Sequence, residues 1–186
     1  MRAGSPRLRR VTSASFVIFL NGGYGVGKSA TLDHVGDLLA ERGTAFSLFD
    51  VDWFHRSWPP AAHDPENVLV EAENMAVVWH NYCTAGPRQP VVAGVIASSG
   101  DLRRYASIFA LPVRSVRLTA SDRVIEDRLR RRYTQHQARS LHWHLDRYAE
   151  LTERQARADL DELVIATDER SPRSVAEQAL TGFGLL

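Results

Sequence analysis

Cysteine is almost missing from this 186-residue chain. With Cys83 alone, no internal disulfide and no cysteine-built zinc site can form, which fits a reducing compartment, so a cytoplasmic location is expected. Nor does one sign of charge prevail. The 23 Lys and Arg against 22 Asp and Glu leave a net charge of +1, so no global field selects a nucleic acid, a membrane surface or an acidic protein as partner. Long hydrophobic runs are absent too. The N-terminal MRAGSPRLRRVTSAS is basic, but the apolar stretch after it is only FVIFL, too short for a signal-peptide core or a membrane span. Residues 1–14 are expected to form a flexible basic tail. Repeats, low-complexity stretches and an interdomain linker are missing as well, so residues 15–186 are read as one domain.

What the chain does have is alternation of apolar runs with helix-period segments. FVIFL reads as a first strand, and SATLDHVGDLLAERG as a helix closed by Gly43. AFSLFDVD reads as a second strand. From Pro65 onward Val68, Ala72, Met75, Ala76, Val78 and Trp79 recur at helical spacing until Gly86 and Pro87 stop the helix. PVVAGVIAS, VRSVRLTA and DELVIAT supply three more strands. SDRVIEDRLRRR, with Ser121 as N-cap, LHWHLDRYAELTERQARADL and SPRSVAEQALTGF supply the remaining helices. Such an order predicts an α/β protein with a central parallel five-stranded sheet and helices on both faces.

The first strand runs into Gly22-Gly-Tyr-Gly-Val-Gly27-Lys28-Ser29, which satisfies G-x-x-x-x-G-K-[ST] between a strand and a helix, the context that confirms a P-loop. The fold class is therefore expected to be the three-layer P-loop NTPase fold. Backbone N–H groups of Gly22, Gly23, Gly25, Val26, Gly27, Lys28, Ser29 and Ala30, with the positive end of the following helix, would hold phosphate. Lys28 would reach the β and γ oxygens, and Ser29 would ligate Mg²⁺. The competing reading is a glycine-rich turn with a solvated lysine.

The second strand ends in FDVDWFHRSW, which places Asp50 and Asp52 at its carboxyl end, the edge where ligands of open α/β sheets bind. One carboxylate there can take the proton of an acceptor hydroxyl, and its neighbour can hold a water of the Mg²⁺ shell. A surface turn with helix-capping aspartates is the alternative. After Asp52, WFHRSWPPAAH offers Trp53, His55 and Arg56 as a wall for a ring or sugar, although Trp53 and Phe54 are equally suited to core packing. VVAGVIASSG ends without the acidic residue of an ordinary Walker B strand. Mg²⁺ would then rest on Ser29, Asp50, phosphates and water, and Ser98, Ser99 or Asp101 could face the acceptor.

Over residues 16 to about 182 the chain resembles small P-loop kinases that phosphorylate hydroxyls of small molecules, a group including shikimate, gluconate and adenylylsulfate kinases and chloramphenicol phosphotransferase. FLNGGYGVGKS looks like the opening of the last of these, and DVDWF is similar to the Asp-x-Asp of shikimate kinase. That match implies Asp52 as the base and Asp50 as the carboxylate on the Mg²⁺ side. VRLTASDRVIEDRLRRR resembles the segment entering the lid in this group and in the related tunicamycin-resistance proteins, and DELVIATDERSPRSVAEQAL looks like its closing strand, nucleotide-base loop and helix.

Of Arg128, Arg130, Arg131 and Arg132, at least one is expected to reach the nucleotide, Arg128 and Arg132 being four apart on one face; a solvated basic helix end is the alternative. Residues 133–141 are expected to form a lid carrying Arg139 toward the γ-phosphate. His136, His142 and His144 lack companions at metal-ligand spacing and are read as lid or surface residues. These readings converge on an ATP- and Mg²⁺-dependent O-phosphotransferase acting on a small molecule, with an antibiotic as the first candidate by resemblance. Nucleic acid and membrane are not expected as partners. The alternatives are a nucleoside or nucleotide kinase, and a nucleotide-binding regulatory ATPase.

Overall fold

The computed structural model describes residues 14–133 and 135–186; the expected basic tail, Ala14 apart, lies outside them. Five parallel strands form one sheet in the order β2-β3-β1-β4-β5: β1 Val17–Asn21, β2 Phe46–Asp50, β3 Gln89–Ala93, β4 Val113–Thr119 and β5 Leu163–Ala166. The helices are α1 Lys28–Glu41, α2 Val68–Cys83, α3 Ser99–Phe109, α4 Asp122–Arg132, α5 Ala138–Ala158 and α6 Pro172–Gly182, with short 3-10 turns at Val51–Trp53 and Gln135–Gln137.

Central β1 explains the layering. All five of its residues are buried, as expected of a parallel strand covered on both faces. Because side chains alternate, Ile18 and Leu20 enter one core with Leu32, Val35 and Leu39 of α1 and Ala176, Ala179 and Leu180 of α6. Val17 and Phe19 enter the other with Met75 of α2 and Tyr105 and Phe109 of α3. Three layers result, with two hydrophobic cores separated by the sheet.

The expected strands and helices are present, with three differences. Ser99–Phe109, to which the sequence pattern assigns no element, forms α3, whose N-cap Ser98 accepts a hydrogen bond from the Asp101 N–H at 3.1 Å. β3 stops at Ala93, short of the expected end; at Gly94 a Cβ would lie 2.7 Å from a Val51 methyl and 3.0 Å from the Phe19 ring, so the position takes glycine. α5 begins at Ala138, so most of the expected lid segment 133–141 is helical; Thr134 lies outside the described residues. Ser121 does stand at the start of α4, but its hydroxyl donates to Asp168 at 2.6 Å instead of capping the helix. Among the described residues no helix is long and apolar enough to cross a membrane.

At the carboxyl end of β1 the fully buried Asn21 joins four parts of the chain. Its Nδ2 donates to the Ile96 carbonyl at 3.0 Å and to Asp161 at 2.9 Å, while its Oδ1 accepts from the N–H groups of Gly22 and Ile96, both at 2.9 Å, and from Gln155 Nε2 at 2.7 Å. Asn21→Leu is similar in branching but leaves these buried partners unpaired, which should cost about 3 kcal/mol. For a domain of this size that is a fall of roughly 6–12 °C in melting temperature. A thermal scan showing a change under about 2 °C would mean that the network adds little to stability.

Candidate active site

Where β1 gives way to α1 the backbone itself builds the first half of the site. Gly22 has φ 141°, and a Cβ on it would lie 2.5 Å from the Leu118 carbonyl oxygen, so no other residue fits there. Gly27, at φ 97°, is the N-cap of α1, which turns the helix N-terminus into the cleft. Lys28 Nζ donates to the carbonyls of Gly22 at 2.8 Å and Gly23 at 2.9 Å. Burial pushes its pKa down to about 8, with the charges of Asp52 and Asp50 opposing the shift.

Ser29 and Asp50 meet beside it, the Ser29 hydroxyl donating to Asp50 Oδ2 at 2.6 Å. Asp50 Oδ1 also accepts from the Asp52 N–H at 3.2 Å, opening the 3-10 turn. Thus Asp50 caps a turn and also stands beside the P-loop serine, while Asp52 lies two residues beyond the strand end, inside that turn. Among the described residues no cluster of three or more His, Cys, Asp or Glu could by itself hold a metal. A hydroxyl touching a carboxylate nevertheless suits Mg²⁺, which keeps several waters and takes its remaining ligands from phosphates.

These residues open onto a cleft of about 660 Å³. Of the expected site residues, Gly25, Gly27, Lys28, Ser29, Ala30, Asp50 and Asp52 line it together, as do His55, Arg56, Arg128 and Arg132. Gly22, Gly23 and Val26 stand behind this surface; Val26 is buried in the core, and the two glycines meet Lys28 through their carbonyls. Trp53 lies outside the lining and is 71% exposed, with the Arg56 guanidinium 4.7 Å over its ring. Phe54 packs against Phe49 instead.

The arginines separate by partner. Arg128 spends its fork on the Gly25 carbonyl at 3.2 Å and on the Thr167 hydroxyl and carbonyl at 3.0 and 2.9 Å, so it ties the P-loop to the turn after β5. Arg130 pairs with Glu126 on the surface. Arg132 faces the cleft, whereas Arg139 is exposed and outside it. Ser98 and Ser99 belong to the start of α3 and do not line the cleft; Asp101 does, with its carboxylate engaged by Ala97, Ser98 and Arg104. His136 and His142 are exposed, but His144 lines the cleft, its ring centroid 4.5 Å from that of Tyr24 and 5.3 Å from that of Tyr133.

Sequence reading missed the far wall, built by α2 and α3 around Glu71. This buried carboxylate accepts from the Tyr105 hydroxyl at 2.9 Å on Oε1, and His55 Nδ1 lies 3.1 Å from Oε2. Arg104 stands 4.0 Å away. The hydrogen bond to Glu71 raises the pKa of His55, and burial followed by the charge of Glu71 raises that of Tyr105. Asn67, Glu71 and Asn74, spaced i, i+4, i+7 on α2, all bond the segment after Asp52: Asn67 to the His55 and Ser57 carbonyls at 2.9 and 3.0 Å, Asn74 to the Phe54 carbonyl at 2.9 Å. That spacing, running from the N-cap Asn67 into a helix that also carries Glu73, His80 and Asn81, was the available signal.

No protein-family model matches the chain, and no curated protein does. Solved structures do match over nearly its whole length. The tunicamycin resistance protein of Deinococcus radiodurans is 22% identical at TM-score 0.60, covering 93% of this chain and 98% of its own. A gluconokinase from Sinorhizobium meliloti is 16% identical at TM-score 0.61, covering 93% and 94%. Shikimate kinase from Acinetobacter baumannii, solved with shikimate, is 17% identical at TM-score 0.52, covering 91% and 93%. The fold is that of the P-loop small-molecule kinases, as the resemblance implied.

A lysine that loses its proton near pH 8 gives the P-loop a measurable signature. Phosphate favours the ammonium form, so nucleotide binding should take up a proton, and affinity should fall once the free lysine deprotonates. By calorimetry, the dissociation constant of the magnesium complex of a non-hydrolysable ATP analogue is expected to rise on the order of tenfold between about pH 7.5 and 9.5. Lys28→Arg should flatten the profile, because arginine stays charged throughout. An equally steep profile in Lys28→Arg would place the titrating group elsewhere.

Proposed function

We propose that this chain is an ATP- and Mg²⁺-dependent kinase that moves the γ-phosphoryl group to a hydroxyl of a small molecule. The observation that carries the reading is the joining, in one cleft, of a P-loop with its lysine, a serine bonded to Asp50, and a second carboxylate, Asp52, with no hydrogen-bond partner for its own oxygens among the described residues. A binder of nucleotide alone has no need of that second carboxylate. Likeness to the tunicamycin resistance protein makes an antibiotic a candidate acceptor.

Each residue then has a task. The N-terminus of α1 and the loop amides orient the phosphates, and Lys28 places its charge on the β and γ oxygens as negative charge develops there. Ser29, with Asp50 acting through a water, would hold Mg²⁺, which would supply positive charge beside those oxygens. Asp52 accepts the proton of the attacking hydroxyl. Arg132, at the end of α4, supplies a cation at the cleft, while Arg128 holds the P-loop in register with the turn after β5.

Two substitutions distinguish transfer from binding. Lys28→Ala should lower turnover by about 10² to 10³ in a folded protein. Asp52→Asn retains shape but cannot take a proton, so turnover should fall by roughly 10² to 10⁴ with ATP affinity nearly unchanged. Asp50→Asn should instead raise the Mg²⁺ concentration needed for half-maximal rate. Transfer at the normal rate in Asp52→Asn would assign the base to another group and leave the pair a structural one.

A further inference from the structure

On the far side of the cleft from the P-loop, one feature has no part in handling phosphate: the contact between Glu71 and His55. With Nδ1 held by the carboxylate at 3.1 Å, the imidazole cannot turn, and Nε2 is the nitrogen left for a ligand; it makes no hydrogen bond among the described residues. The anchor is itself fixed. Glu71 is buried, its other oxygen accepts from Tyr105 at 2.9 Å, and Arg104 stands 4.0 Å away with its own Nη1 on Asp101 at 3.0 Å. The backbone on which His55 sits is clamped as well, its carbonyl taking the amide of Asn67 at 2.9 Å. A side chain held from two directions at the edge of a cleft, three residues after Asp52, is built to read something.

The chemistry of Nε2 narrows what that is. While the ring is neutral and Nδ1–H donates to Glu71, Nε2 presents a lone pair; once the ring is protonated, Nε2–H donates. A carboxylate fits only the second state and an ammonium only the first, whereas a hydroxyl pairs with both. Tyr24 and Trp143 line the same cleft, their rings meeting edge-on with centroids 5.6 Å apart and the Arg147 guanidinium 4.7 Å over the Trp143 ring. Aromatic faces of this kind pack against the apolar face of a saturated ring.

We propose that His55, positioned by Glu71, is a specificity-determining residue that binds a second hydroxyl of the acceptor, so that the acceptor is a ring-borne polyol: one hydroxyl meets Asp52 and receives phosphate, another meets His55, and the ring lies against Tyr24 and Trp143. This rests on the kinase reading for the role of Asp52. It adds that a mono-alcohol of the same size is a poor ligand.

The test uses cis-cyclohexane-1,2-diol and cyclohexanol as probes, titrated into the full chain carrying the magnesium complex of a non-hydrolysable ATP analogue, with the imidazole signals of His55 followed by NMR. The diol should shift the His55 signals and bind at least tenfold more tightly than cyclohexanol. His55→Ala should bring the two affinities together. Glu71→Gln, which keeps the bond to Tyr105, should lower the imidazole pKa toward its ordinary value and weaken the diol preference, a pair of changes that a purely structural role for Glu71 would not produce. Equal binding of the two probes, no shift at His55, or a diol preference that survives His55→Ala each overturns the proposal. If the diol preference holds but Asp52→Asn leaves transfer intact, the assignment of the base fails and the recognition of the second hydroxyl stands; if transfer behaves as expected and the preference is missing, this inference alone fails.

Discussion

Everything in the cleft depends on where β1 ends, and that point is fixed by one buried amide. Asn21 reaches the loop after β3 through Ile96, the helix α5 through Gln155 and the approach to β5 through Asp161, while its Oδ1 accepts from the first amide of the P-loop. Asp161 is in turn held by Ser115 of β4 at 2.5 Å and faces Arg117 at 3.6 Å. Buried polar groups of this kind are costly unless satisfied; the Asn21 amide is satisfied by five hydrogen bonds, while the Arg117 Nε beside Asp161 makes none among the described residues. The P-loop therefore starts from a rigid platform, which is what a phosphate site made of backbone amides requires, since misplacing one strand end would move every donor together.

Much of the fold was legible because the signals that carry it are local. FVIFL, buried on both faces, and the closely spaced glycines before Lys28 specify strand, turn and helix within twenty residues. α3 was not legible for the opposite reason. SGDLRRYASIF is rich in polar and short side chains, and its helix is settled by the Ser98 cap and by Tyr105 and Phe109 entering a core whose other members come from β1, β2, β3, α2 and the turns after β2 and β3. The end of β3 was hidden likewise, because Gly94 is placed by a close approach of Val51 from another element. Trp53 shows the limit from the other side: aromatic residues next to the proposed base suggest a pocket wall, yet the ring lies outside the cleft under Arg56.

The two halves of the site differ in construction, and that difference governs how each was read. On the phosphate side the ligands are backbone groups, so the sequence must keep glycines and a lysine at fixed spacing, and the motif is plain. The part of the cleft proposed to take the acceptor is made of side chains from distant segments: His55 after β2, Glu71 on α2, Arg104 and Tyr105 on α3, Trp143 and His144 on α5. No short spacing relates them, and only the stripe Asn67, Glu71, Asn74 leaves a trace along the chain. Arg128 illustrates the same point in reverse, since its place in a basic cluster suggested a phosphate contact, while the structure gives its donors to Gly25 and Thr167.

That division has a physical consequence for how such a fold changes its substrate. The segment from Asp52 to Ser57 carries both the proposed base and the proposed acceptor contact, and it is held by hydrogen bonds from α2, whose own first turn is fixed by Asp64 accepting from the N–H groups of Val68, Leu69 and Val70 at 2.8, 2.9 and 3.1 Å. α2 packs through Met75 onto the core opposite α1. Substitutions on the cleft side of α2 and α3 can therefore alter recognition without touching the β1–α1 junction, where Gly22, Lys28 and Asn21 admit almost no change. The sheet puts α2 and α3, which carry Glu71, Arg104 and Tyr105, on the core opposite α1, whereas Tyr24 of the P-loop and α5 pack on the core of α1, so it is the Glu71 wall that can change while the phosphate loop stays in place.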